Sequence, residues 1–279
     1  MKKYVEIILI VLLLAVFTFL LTAVSAFDTR LKVVQYTINS PKISNEIKFA
    51  LITDLHSCSY GEEMEQLVSK IEKRKPDAVL LVGDIFDDWM PDDNAKTFVS
   101  TVAKNYPIYY VSGNHEWWSA RMEEFFSFLR ENNVTVLRGE CHVLNINGQY
   151  VNICGIDDPD AVNYDFEYKG MEEQLENADE QASDEKFSLL LAHRPEYAAK
   201  YFEYSFDCVV SGHAHGGQWR IPVVLNGLYA PNQGFFPKLA GGMYDFSGKN
   251  LIVSRGLSKE NQSIPRIFNR PEIVFITVK

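Results

Sequence analysis

The sequence predicts an α/β protein: a parallel β core with a mixed second sheet packed on it, preceded by one helix long enough to cross a membrane. Three observations predict it. Five short apolar runs, at 47–53, 78–82, 108–111, 187–191 and 208–210, each lead into a loop rich in Asp, His, Asn or Gly. Helix-like stretches separate the early runs. The first thirty residues contain one unbroken apolar segment.

That segment comes first in the chain. From Ile7 to Phe27 there are 21 consecutive uncharged residues, with only Thr18, Thr22 and Ser25 polar. As a helix they extend roughly 31 Å, enough to span a hydrocarbon core. Lys2 and Lys3 precede them, so the positive-inside rule leaves the N-terminus in the cytoplasm and the remainder outside. The competing reading is a cleaved signal peptide, because Val24-Ser25-Ala26 resembles a small-residue cleavage site. The run exceeds the usual signal length, so a single-pass membrane anchor is the expectation for residues 1–27. Either reading places the rest of the chain outside the cytoplasm. Residues 28–46 are a connecting strand region, and 47–279 form the main domain.

Within that domain, 62–74 places Met64, Leu67, Val68 and Ile71 at helical spacing, and 92–104 and 120–132 are similar. Strand, crossover helix and strand again imply parallel pairing, with ligands collecting beyond the carboxyl ends of the strands. The second half changes character. Residues 134–137, 141–146, 150–156, 250–253 and 273–278 read as strands, several joined by turns such as Asn147-Gly148 and Ser247-Gly248, which suits a mixed second sheet. The acidic stretch 157–186 reads as a solvated excursion with a helix near 170–182.

Charge and cysteines narrow the function. The chain carries 27 basic and 37 acidic residues; without Lys2, Lys3 and Glu6 the remainder stands at −11. Non-specific nucleic-acid binding needs a basic surface, so no nucleic-acid partner is expected. Cys58, Cys141, Cys154 and Cys208 form no CxxC pair. Outside the cytoplasm they allow three disulfide pairings, and buried thiols suit their apolar surroundings equally well.

The strand-end loops carry the chemistry. They are Asp54-Leu55-His56, Gly83-Asp84, Gly113-Asn114-His115-Glu116, Ala192-His193 and Gly212-His213-Ala214-His215-Gly216-Gly217. Singly, a DxH triplet, a turn aspartate or a core histidine is commonplace. Together they hold five of the six histidines in the chain, all but His142. With Asp54, Asp84 and Asn114 they form an oxygen and nitrogen donor set without a thiolate, which suits Mn, Fe or Zn ions.

In order, D-x-H, GD-x-x-D, GNHE, a lone His and GHxHGGQ resemble the calcineurin-like metallophosphoesterase superfamily, from about Ile47 to the C-terminus. HGGQWRIP, KLAGGMY, VSRGL and IPRIFNRPEI resemble its membrane-associated bacterial phosphodiesterase branch, some of whose relatives hydrolyse UDP-2,3-diacylglucosamine. One departure is Gly256-Leu257-Ser258, where relatives often have a second glycine; the insertion after it would reshape the pocket rim. The resemblance implies a four-layer α/β/β/α sandwich of two mixed sheets flanked by helices. It implies that Asp54, His56 and His215 hold one divalent ion and Asn114, His193 and His213 a second, with Asp84 bridging. Two ions about 3.5–4 Å apart clamp phosphoryl oxygens and generate hydroxide from water near neutral pH.

His115, beside a ligand but not one itself, then protonates the leaving alkoxide, oriented by Asp87. Trp117 and Trp118 are either a substrate-facing wall or simple packing. The implied function is a membrane-anchored phosphoesterase acting on a diester or pyrophosphate, in an envelope lipid or nucleotide-linked precursor. The alternatives are a phosphomonoesterase or nucleotidase of the same fold, and a non-catalytic surface metal-binding protein. Protein phosphatases resemble GD-x-x-DRG, with an arginine that grips phosphate, whereas Asp88 and Trp89 follow Asp87 here. G-x-S-x-G, Walker A and GxGxxG motifs are absent from the sequence, which leaves serine-hydrolase and nucleotide-fold chemistry without support.

Overall fold

Alternate residues of the apolar runs face opposite sides, and this builds a layered molecule in the computed structural model, which describes residues 2–259 and 264–279. In Ile47–Ile52, Ala50 and Ile52 join one hydrophobic cluster while Phe49 and Leu51 join another. Period-two alternation of this kind, with both faces apolar, marks a strand covered on both sides.

The first sheet contains β1 (Lys32–Ile38), β2 (Ile47–Ile52), β3 (Ala78–Val82), β4 (Ile108–Val111), β5 (Thr135–Val136) and β14 (Glu272–Val278). Their spatial order is β1-β14-β2-β3-β4-β5. From β2 to β5 the pairing is parallel, and β14 lies between β2 and β1, antiparallel to β2 and parallel to β1. The second sheet contains β6 (Glu140–Ile146), β7 (Gln149–Gly155), β8 (Phe187–Leu191), β9 (Cys208–Ser211), β12 (Gly242–Phe246) and β13 (Lys249–Val253). Its order is β12-β13-β9-β8-β7-β6, parallel from β13 to β7 with an antiparallel strand at each edge. A two-stranded ribbon of β10 (Tyr229–Ala230) and β11 (Gly234–Phe235) lies between β9 and β12 in sequence.

Seven helices complete the described chain: α1 (Lys2–Ala26), α2 (Glu65–Arg74), α3 (Asp93–Val102), α4 (Asn114–Trp118), α5 (Met122–Glu131), α6 (Met171–Gln181) and α7 (Ala198–Tyr201). α2, α3 and α5 bury their apolar faces on the first sheet; α6 and α7 do so on the second. Phe49, Leu80, Ile153 and Val210 meet in the cluster between the sheets. The layers therefore run helix, sheet, sheet, helix.

Two strands expected in the second sheet belong to the first. Residues 135–136 pair with β4, and β14 is buried along nearly its whole length, so it fills the interior position between β1 and β2 rather than an edge. The two turns behave as expected. Asn147 and Gly148, like Ser247 and Gly248, all have positive φ, the geometry of tight hairpins that match strand twist. Cys141 and Cys154 face each other across β6 and β7 and form a disulfide, while Cys58 and Cys208 are buried thiols. α1 is exposed along almost its whole length, apolar side chains included. Residues 260–263, within the insertion after Ser258, lie outside the described residues.

Candidate metal centre

The loops at the carboxyl ends of β2, β3, β4, β8 and β9 converge on one buried point. Asp54, His56, Asp84 and His215 bring donor atoms within 4.8 Å of one another, and Asp84, His193 and His213 do the same. Asp84 belongs to both groups. Its Oδ2 lies 3.6 Å from His56 Nε2 and 3.1 Å from His193 Nε2. Asn114 follows β4, and His115 N–H donates to Asp84 Oδ1 at 2.9 Å.

Reaching this point costs backbone strain. Asp54, His56, Asp84, His213 and His215 all have φ between 46° and 63°. The left-handed region costs a non-glycine residue about 1–3 kcal/mol, and Asp, Asn and His tolerate it better than most. Crowding explains a glycine. At Gly113 a Cβ would lie 2.2 Å from Asp84 Oδ1, although its own φ is ordinary, so this glycine is required for space.

Each imidazole is fixed through one nitrogen and presents the other. His193 Nδ1 donates to the Val82 carbonyl at 2.9 Å, leaving Nε2 beside Asp84. His56 Nδ1 donates to Asp87 Oδ2 at 2.8 Å, and its Nε2 is buried with no hydrogen-bond partner among the described residues. His213 Nε2 donates to Asn232 Oδ1 at 2.9 Å, and its Nδ1 is likewise buried and unpaired. Ser258 Oγ lies 3.1 Å from His215 Nδ1. Asp54 Oδ2 and Asn114 Oδ1 also lack partners among the described residues. Orphaned buried polar atoms are costly, and three of these four belong to residues grouped around Asp84, which fits divalent ions held by O and N ligands.

The charges agree with that fit. Burial, then His193 and Arg194, push His213 well below the ordinary imidazole range; burial, His56 and Arg266 do so for His215. Both rings are therefore neutral, as ligation requires. Burial opposes a charge on His193, yet Asp84 draws its pKa up to about 10, a proton with which a cation would compete. Burial also works against Asp87, but the His56 hydrogen bond and the N–H groups of Trp89 and Met90 hold it down at about 2. It remains an anion at any working pH.

His115 differs from the ligands. Its ring is about a quarter exposed and stacks edge-on against His56, with centroids 4.4 Å apart. Its Nδ1 lies 2.6 Å from Asp88 Oδ1 and 3.8 Å from Asp87 Oδ2. The carboxylate within hydrogen-bond distance of His115 Nδ1 is thus Asp88, whereas Asp87, the partner expected there, lies further off. The physical reason is that Asp87 is already committed to His56 and two backbone N–H groups. The tryptophans also separate. Trp117 is core, its Nε1 donating to Ser112 Oγ at 2.9 Å. Trp118 is exposed, 4.7 Å from the His115 ring, with Nε1 donating to Asp160 at 3.0 Å.

A family model described as calcineurin-like phosphoesterase matches residues 47–217. The chain belongs to this family. It is similar to an uncharacterized metallophosphoesterase of Aquifex aeolicus, 31% identical over 93% of this chain and 97% of that one. One from Campylobacter jejuni is 29% identical over 87% of this chain, which spans only 62% of that relative's length. Among solved structures, the Thermus thermophilus protein TT1561 superposes with a TM-score of 0.51 at 12% identity, covering 77% of this chain and 92% of its own, and so shares the fold. Membership supports metal-dependent phosphoester hydrolysis in general.

Several residues that shape this calcineurin-like phosphoesterase site carry no clear signal in the sequence. Glu116 stands in the GNHE motif, but its role is visible only in three dimensions. Its carboxylate accepts from the N–H groups of Gly113, Asp84, Ile85 and Phe86 at 2.7–3.1 Å, which ties the β3 loop to α4. This lock also explains why residues 114–118 form a short helix where a loop was expected: Glu116 caps it. Arg194, buried against Asp158 at 2.7 Å, donates to Asn232 and so steadies the partner of His213. Ser258 contacts His215 and accepts from Arg266 at 2.9 Å.

Proposed function

We propose that this chain is a membrane-anchored, dinuclear-metal phosphodiesterase whose leaving group is protonated by His115. The observation that carries the reading is the pairing of a buried, unsaturated donor set with a partly open imidazole beside it. Asp54, His56 and His215 would hold one ion and Asn114, His193 and His213 another, with Asp84 shared; Mn, Fe and Zn all suit these donors. Bound there, such ions neutralise phosphoryl charge and acidify water.

The chain's own groups supply the rest. Asp88 accepts from His115 Nδ1 and fixes the ring, so that Nε2 can carry the proton given to the departing oxygen. Asp87 makes His56 a better ligand by accepting its Nδ1 proton. Asp88 also favours a diester, because a monoester brings a second negative charge toward a carboxylate that stands where protein phosphatases resembling this motif carry arginine. Trp89 and Trp118, both exposed, add an apolar rim.

The apolar, exposed α1 supports an anchor, with Lys2 and Lys3 cytoplasmic and the catalytic domain outside. The Cys141–Cys154 disulfide is consistent with an oxidising compartment. The test is Mn²⁺-dependent hydrolysis of bis-p-nitrophenyl phosphate and p-nitrophenyl phosphate by the full chain. The diester should be preferred, and His115→Ala should lower turnover by about 10²-fold or more without loss of bound metal. A preference for the monoester would move the chain to the monoesterase or nucleotidase class. Metal-loaded, folded protein inert toward both would favour a non-catalytic surface protein.

A further inference from the structure

α1 enters the folded domain at the end of the sheets that carries the candidate ligands. Phe268 N–H donates to the Ala26 carbonyl, at the last residue of α1, at 2.7 Å. The adjacent Asn269 side chain donates to the His215 carbonyl at 2.7 Å and to the Gln218 carbonyl at 3.1 Å. One short segment thus touches both the end of the helix and a loop of the metal centre. β1 begins at this end, where Lys32 pairs with Glu272, and runs away from it to Ile38.

Just after this loop the chain makes the excursion 218–236. Trp219 bridges to Ile267 and donates through Nε1 to the Pro265 carbonyl at 3.0 Å, so the excursion packs beside the segment that receives α1. Ile221, Val223, Val224, Phe235 and Phe236 nevertheless face solvent, Val223 completely at 108% exposure. So many large apolar side chains on one short excursion are a patch, not the scattered singles of an ordinary surface.

Below the 221–225 turn lies a cavity of about 480 Å³ that includes Lys32, Arg220, Arg255 and Phe268 in its lining and, among the described residues, no carboxylate. Glu272, from behind, balances Arg255 at 2.7 Å. Arg220 Nη1 donates to the Gly216 carbonyl at 3.1 Å, a neutral partner. Burial and the nearby Arg255 push Lys32 below the ordinary amine range and Arg220 to about 10, a crowding of cations that a bound anion relieves. Cations beneath an apolar lip are the arrangement that a lipid headgroup and its acyl boundary match.

We propose that the 218–236 excursion is a membrane-docking lobe, with its apolar side chains entering the leaflet at which α1 emerges and the Lys32–Arg220–Arg255 cavity receiving the phosphate of an anionic phospholipid. This rests on the reading of α1 as a membrane span. Continuity with the end of α1 identifies the bilayer as the occupant. Insertion to a depth of roughly 5–10 Å would turn the end of the sheets that carries the metal centre toward the membrane.

The test uses the full chain in phosphatidylcholine vesicles containing a minority of phosphatidylglycerol. An environment-sensitive fluorophore is placed by Val223→Cys, Phe236→Cys, Tyr150→Cys or Val11→Cys, with lipid-borne spin labels as quenchers. The native thiols Cys58 and Cys208 are buried, and Cys141 and Cys154 are paired, so labelling is selective. Tyr150 is exposed beside the β6–β7 turn, at the opposite end of the sheets, and is the reference. Quenching at 223 and 236 several-fold above that at 150 is the expected result. If 223 and 236 match 150 while 11 is quenched, the lobe is overturned and the anchor stands. If 11 also escapes quenching, the span reading fails and the lobe with it. Removing phosphatidylglycerol, or Lys32→Gln, should each lower quenching at 223; no change in either arm overturns the headgroup assignment.

Discussion

The floor of the metal centre and its rim are built from the same few loops but are held in opposite ways. Asn114 and His115 are neighbours in the chain, yet Asn114 is buried with an unpaired oxygen while His115 is partly open and rests on Asp88. The same division separates Asp87 from Asp88 and Trp117 from Trp118. On the floor, strained backbone, close glycines and buried hydrogen bonds leave little freedom. At the rim, side chains keep solvent on one side. Ligation needs fixed geometry, whereas proton transfer and substrate entry need access.

The most severe way to test this division is Gly113→Val. With a Cβ already 2.2 Å from Asp84 Oδ1, the branched side chain must displace the shared carboxylate. Bound metal and activity should both be lost, whereas Trp118→Ala should retain its metal. A Gly113→Val protein that binds metal normally would show the floor to be soft rather than rigid. Next come the adjacent carboxylates. Asp87→Asn and Asp88→Asn should each cost about 10–100-fold, but through different quantities. Asp87→Asn weakens metal affinity by loosening His56, and Asp88→Asn lowers kcat with metal affinity kept. Loss of metal from both variants would erase the boundary between floor and rim.

The smallest effect on turnover is expected at the tryptophans. Trp117→Ala should destabilise the fold by about 3–5 kcal/mol, read from chemical unfolding, because it empties a buried site. Trp118→Ala should change stability by only about 0.5 kcal/mol and act chiefly on KM. Equal stability losses would place both in the core.

The floor was far more legible in the sequence than the rim. Asp54, His56, Asp84, Asn114, His193, His213 and His215 sit at strand ends in the strand-loop pattern, and the structure groups the Asp and His residues among them around Asp84. Asp87 and Asp88 are adjacent carboxylates of equal chemical character, so only packing decides which histidine each one meets. Glu116, Arg194 and Asn232 act through backbone groups or through other side chains across long sequence separations, and no local pattern marks such contacts. In the fold, the longer helices and the hairpins were readable from periodicity and turn residues, whereas the short α4 and α7 were not. The sheet membership of β5 and β14 was not, because a short edge strand and a C-terminal strand that slots between earlier ones have the same local pattern in either sheet.

One placement has a kinetic consequence. α1 and the metal centre share an end of the sheets, with the Asn147–Gly148 hairpin at the other. With α1 embedded in a bilayer, a substrate residing in that bilayer is searched for in two dimensions. The relevant concentration is then molecules per unit of membrane area, and the volume of the surrounding solution drops out. Detergent would dilute enzyme and substrate across separate micelles, so rates should follow the mole fraction of substrate in the micelle rather than its bulk molarity.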